Sequence, residues 1–85
     1  MYSILATKRV DKKLVHLHQN DKKKAFKVFT KLKSNPLPKG VNLKKMKKSG
    51  KNYRIRIGNI RIIYNFNPQK KQIIITDIGY RGNIY

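Results

Sequence analysis

The sequence contains no cysteine, no tryptophan and no glutamate, and its only carboxylate side chains are Asp11, Asp21 and Asp77. Each absence excludes something. Without cysteine there are no disulfides and no thiolate metal sites, a composition that suits a reducing compartment. Three scattered carboxylates do not supply the clustered oxygen ligands that a two-metal nuclease needs. The two histidines, His16 and His18, stand two residues apart. On a helix they point in different directions, which makes them poor metal partners and reads as surface. No metal and no cofactor are therefore expected. Long hydrophobic runs are missing too, so no membrane-spanning helix is expected. The opening Met1-Tyr2-Ser3-Ile4-Leu5-Ala6 runs at once into Lys8 and Arg9, unlike a secretory signal. These features predict a cytoplasmic protein.

What the sequence has in excess is positive charge. Twenty-two lysines and arginines against the three aspartates give a net charge of +19. A chain so charged repels itself and seeks a polyanion, with nucleic acid the leading candidate. A membrane surface suits it less, because the lysines are spread along the chain rather than gathered into one anchoring cluster. Eighty-five residues predict one domain with a modest core.

The periodicity predicts the order β-α-α-β-β-β. Tyr2 to Ala6 reads as a short strand. Thr7 caps a helix over Lys8 to Leu17 whose stripe is Val10, Leu14 and Leu17, at the i, i+4, i+7 spacing. Asn20-Asp21 breaks and caps again, and a second helix from Lys22 to Lys33 places Ala25, Val28, Phe29 and Leu32 on one face. Asn35-Pro36 ends it. Leu37 to Lys51, rich in Pro, Gly and Lys, reads as a loop anchored by Leu43 and Met46. After a turn at Asn67-Pro68-Gln69-Lys70, Gln72 to Ile78 reads as a central strand, its Ile73-Ile74-Ile75 run suggesting burial on both faces.

The most informative segment lies between these. Of the five arginines, Arg54, Arg56 and Arg61 fall within Tyr53-Arg54-Ile55-Arg56-Ile57-Gly58-Asn59-Ile60-Arg61-Ile62-Ile63-Tyr64, and Arg81 follows. Strict alternation makes this a hairpin, with Gly58 first in a two-residue type II′ turn, where a positive φ is required. Pairing Ile57 with Ile60 sets Arg56 opposite Arg61 and Tyr53 opposite Tyr64. One face is then Tyr53, Ile55, Ile57, Ile60, Ile62, Tyr64 and Phe66. The other is Arg54, Arg56, Arg61, Ile63 and Asn65. Like charges directly opposite one another cost a few tenths of a kcal/mol, and three carboxylates cannot neutralise so many cations. The face reads as an anion-binding surface. Tyr53 and Tyr64, on the apolar side, read as core.

Together with Asp77-Ile78-Gly79-Tyr80-Arg81 and the terminal Ile84-Tyr85, this hairpin resembles the RelE/ParE superfamily of toxins from toxin-antitoxin pairs. Asn35-Pro36 and Leu43-Lys44-Lys45-Met46 look like that family's stretch before its first hairpin strand. The resemblance implies an α+β fold, an antiparallel sheet with two helices packed on one face and a basic concave surface. For the RelE-like branch it implies a toxin that enters the ribosomal A site and cuts messenger RNA there, neutralised by an acidic, RelB-like antitoxin. ParE-type members poison DNA gyrase instead, and a non-catalytic RNA-binding protein is a further alternative on the same fold.

Cleavage through the RNA 2′-hydroxyl needs an aligned nucleophile, a base, charge stabilisation and a proton for the leaving oxygen, but no metal. The catalytic candidates are Arg61 and Arg81, whose guanidinium forks suit phosphate and its transition state, and Tyr85, as base or as stacking surface. Arg54 and Arg56 are expected to hold the RNA backbone or to tune neighbouring groups. Lys44, Lys45, Lys47 and Lys48 are expected to steer RNA to the site, as are Lys22 to Lys24. Tyr80 stacks on RNA or covers the sheet edge. Asp77 orients an arginine or caps a turn. Gly79 and Gly82 permit the turn that presents Arg81 or simply end the strand. With Tyr85 the last residue of the sequence, the terminal carboxylate is expected beside the site and a C-terminal helix of longer relatives absent.

Overall fold

The computed structural model describes residues 1–46 and 51–80. The order of elements is β1 (Ser3–Ala6), α1 (Lys8–Val15), α2 (Gln19–Ser34), β2 (Asn42–Lys45), β3 (Tyr53–Ile57), β4 (Ile60–Asn67) and β5 (Gln72–Tyr80). The fold is α+β, as expected. Thr7 caps α1, its hydroxyl accepting from the Val10 N–H at 3.3 Å. The second helix begins earlier than its capping residues suggested. His18, without a side-chain bond, stands at its N-cap, and Asp21 lies in the first turn, where its charge suits the helix dipole. The predicted stripe is buried: Ala25, Val28, Phe29 and Leu32 join Val10 and Leu17 in the core.

The sheet has five strands in the order β1-β5-β4-β3-β2. Two features differ from the expected antiparallel arrangement. Asn42 to Lys45, read as loop, pairs antiparallel with β3 as an edge strand, and Leu43 packs against the core. At the other edge β1 runs parallel to β5, which makes the sheet mixed. The two helices supply the crossover that a parallel pair requires. The hairpin register is the predicted one throughout, from Ile57 opposite Ile60 to Tyr53 opposite Tyr64. Gly58 takes a φ of +56°, and Asn59 does not follow it into positive φ, which is the type II′ pattern.

One face of the sheet carries the core. Ile55, Ile60, Ile62, Tyr64, Ile73, Ile75 and Ile78 meet the apolar sides of both helices there. Tyr53 stacks between Tyr64 and Phe66, with ring centroids 5.8 and 5.5 Å apart. Over the isoleucine run of β5 burial alternates rather than covering both faces: Ile73 and Ile75 are enclosed, whereas Ile74 is half-buried. The strand is interior, between β1 and β4, so the Ile run reflects pairing on both edges and not helices on both sides. A register shift between Ile63 and Tyr64 leaves Thr76 as an extra residue in β5. Its hydroxyl donates to the Ile63 carbonyl. Strand β1 covers β5 only from Gln72 to Ile75. Beyond that point α1 lies against β5.

Candidate functional site

Residues opposite one another in neighbouring strands share a face, so the register alone assembles the site. One row crosses four strands as Asn42, Arg56, Arg61 and Gly79; the next as Lys44, Arg54, Ile63 and Asp77. Both lie on the sheet face opposite the one that carries the apolar core. In a two-residue hairpin the residues flanking the turn form the hydrogen-bonded pair. Arg56 and Arg61 are therefore the next, non-hydrogen-bonded pair, whose Cα atoms approach to about 4.5 Å. Arg56 is exposed, while Arg54 and Arg61 are half-buried and the Arg61 Nε is closed off from solvent. A partly desolvated guanidinium beside a second one makes a field that favours a multiply charged anion.

Among the described residues, Asp77 is the carboxylate of this face. It is buried and is held by α1, with Lys13 Nζ 2.7 Å from Oδ1 and Arg9 3.5 Å from Oδ2, while Oδ1 also accepts the Ile78 N–H. Of the two roles expected for it, the structure gives the orienting one, but toward cations of the helix rather than of the hairpin. Lys13 and Arg9 thus join the basic surface from its β5 side. Sequence reasoning gave them no role at the site, and the only signal was an aspartate in a chain with three.

Tyr80 lies apart from this row. It stands opposite Ile60, on the helix side. Its hydroxyl accepts the His18 N–H at 2.8 Å and donates to Asp21 at 2.9 Å. Burial raises the hydroxyl's pKa, the His18 N–H opposes that shift, and Asp21 adds to it. The hydroxyl is a tie between β5 and the α1–α2 turn. Lys44 shares the arginine face, whereas Lys45, opposite Tyr53, is on the other side of β2. Arg81, Tyr85, Lys47 and Lys48 lie outside the described residues. Among the described residues no three His, Cys, Asp or Glu side chains gather as a metal site, and no helix is long and apolar enough to cross a membrane.

No protein-family model matches the chain. A curated relative does: over 85 residues the chain is 35% identical to a protein of Methanocaldococcus jannaschii that carries the name toxin RelE1, covering 99% of this chain and 94% of that one. The chain belongs to the RelE toxin family. Solved structures agree with that placement. The toxin-antitoxin complex RelE-RelB of Pyrococcus horikoshii superposes with a TM-score of 0.84 at 28% identity, covering 96% of this chain and 97% of that one. The RelB-RelE complex of Methanococcus jannaschii gives 0.79 at 29%, covering 91% and 89%. A metal-bound toxin of Helicobacter pylori, at 22% identity and 0.85 over the whole of both chains, shares the fold. In this RelE-family chain the basic rows occupy the sheet face opposite the core.

Proposed function

We propose that this RelE-family toxin is a ribosome-dependent messenger RNA endonuclease, acting in the cytoplasm on the codon in the A site. The observation that carries the reading is the Arg56–Arg61 pair, set with Arg54 and Lys44 on the sheet face opposite the apolar core. Two guanidinium groups directly opposite one another cost a few tenths of a kcal/mol, and together they form a site that attracts a multiply charged anion such as an RNA phosphate.

In this mechanism the RNA 2′-hydroxyl attacks the adjacent phosphorus and the 5′-oxygen leaves. Arg61 binds the phosphate oxygens on which charge accumulates, and Arg54 and Arg56 hold the flanking backbone. Arg81 joins Arg61 at the phosphate, and Tyr85 serves as base or as stacking surface. Electrostatic stabilisation and alignment carry most of the rate, and the ribosome supplies the alignment. The partner that restrains the toxin is a RelB-like antitoxin, whose acidic residues match the +19 charge.

Toeprinting on translating ribosomes tests the reading. New breaks within A-site codons are expected with wild-type protein. Arg61→Ala is expected to lower the cleavage rate at least a hundredfold, the usual loss when one transition-state donor is removed, with a much smaller loss of ribosome affinity. Equal losses in both make Arg61 a binding residue only. Intact message together with a supercoiling defect points instead to gyrase as the target.

A further inference from the structure

Beside the arginine row, a cleft of about 230 Å³ opens between α1 and the end of β5, lined by Lys13, His16, Leu17, Gly79 and Tyr80. The phosphate chemistry of the arginine row does not use it. Its lining combines the apolar Leu17, the aromatic Tyr80 and Gly79 with a lysine and a histidine. Its size falls below the roughly 300 Å³ at which pockets for drug-sized molecules begin, which suits a planar fragment such as one nucleobase. Its position matters as much. Gly79 stands opposite Arg61, so the cleft borders the β5 end of the arginine row.

The Tyr80 ring is held in place for this role. Its hydroxyl is bonded at once to the His18 N–H and to Asp21, and its ring centroid lies 5.8 Å from that of His18. A ring tied to two elements loses little freedom when a ligand stacks on it. At the rim, Asp77 fixes Lys13, so the cation's position is also set before binding.

We infer that the α1–β5 cleft is a nucleobase subsite, taking the base of the nucleotide whose phosphate lies on Arg61, with Tyr80 and Leu17 as its apolar walls and His16 and Lys13 as its polar rim. The inference rests on reading the arginine face as an RNA surface. Stacking on an aromatic ring tolerates any base, so the subsite adds affinity and position rather than a fixed sequence preference.

Titration of the protein with adenosine 5′-monophosphate and, separately, ribose 5-phosphate, followed by backbone amide chemical shifts, tests it. The monophosphate is expected to bind about tenfold tighter than the sugar phosphate, within the range that stacking one base supplies, and to move the Leu17, Gly79 and Tyr80 amides. Tyr80→Phe keeps the ring and is expected to keep that preference, whereas Tyr80→Leu loses it. Should Tyr80→Leu fail to fold, His16→Ala, at an exposed position, is expected to weaken the monophosphate about threefold and the sugar phosphate hardly at all. Equal affinities for both ligands, or shifts confined to Arg54, Arg56 and Arg61, overturn the inference. Message cut on ribosomes with the cleft unmoved sinks the subsite alone, and a filled cleft with uncut message sinks the nuclease reading alone.

Discussion

At the scale of single residues, this protein separates groups that hold the fold from groups that oppose it. Tyr64 is of the first kind. Fully buried, it donates its hydroxyl to the Pro36 carbonyl at 2.6 Å, tying the chain after α2 to the centre of the sheet. Burial first, and the neighbouring Tyr53 second, push its pKa well above the ordinary tyrosine value. The sign follows from which state keeps the proton. Below about pH 10 the phenol is neutral in both folded and unfolded chains and its contribution is complete. Above that pH the unfolded phenol ionises first and stability falls toward the folded pKa. The urea midpoint is therefore expected to be level from pH 8 to 9.5 and to drop by pH 11. Tyr64→Phe flattens that drop while costing about 1 kcal/mol at neutral pH for the lost hydrogen bond. An alkaline limb equally steep in Tyr64→Phe removes Tyr64 as its origin.

At the scale of elements, the edges of the sheet are where sequence reading and structure part. Strand β2 was hidden because Asn42-Leu43-Lys44-Lys45 has one apolar residue in four, too little alternation to register as a strand. It forms because the hairpin beside it offers a free edge, and Leu43 gains a place opposite Ile55. Its lysines then serve a second purpose, since charged edge strands resist pairing with other chains. Replacing both Lys44 and Lys45 by valine is expected to raise the apparent mass in size-exclusion chromatography with light scattering. An unchanged mass shows that the β2 edge needs no such protection. The partnership of β1 with β5 was equally illegible, because four residues carry no record of direction. By contrast the hairpin could be read residue by residue, since turn chemistry and period-two alternation both act within a dozen neighbours.

At the scale of the whole molecule, +19 charges sit on a body whose radius of gyration is 11.8 Å. Self-repulsion across that distance is of the order of a Debye length at physiological salt, so salt acts in two opposite directions. Raising it from 50 to 200 mM is expected to raise the urea midpoint by screening repulsion. Over the same range affinity for single-stranded RNA is expected to fall about a hundredfold, as counterion release from some five phosphate contacts requires. Urea melts and fluorescence anisotropy of a labelled oligonucleotide check the pair. An affinity that ignores salt places binding outside the basic face.

What local physics controls was legible from neighbouring residues: two amphipathic helices, the arginine hairpin with its register and turn, and a charge that calls for a polyanion. The likeness of that hairpin to RelE toxins was legible for the same reason, because its residues are contiguous. Tertiary structure alone decided what depends on partners far apart in the chain. It brought Lys13 and Arg9 of α1 to Asp77, sixty-four residues from Lys13. It set the Tyr80 hydroxyl between His18 and Asp21, and it opened a cleft between α1 and the end of β5 that no segment contains. Contacts of that range are chosen by the packing of a whole core, where many weak terms must be satisfied together, and no window of neighbouring residues records the outcome.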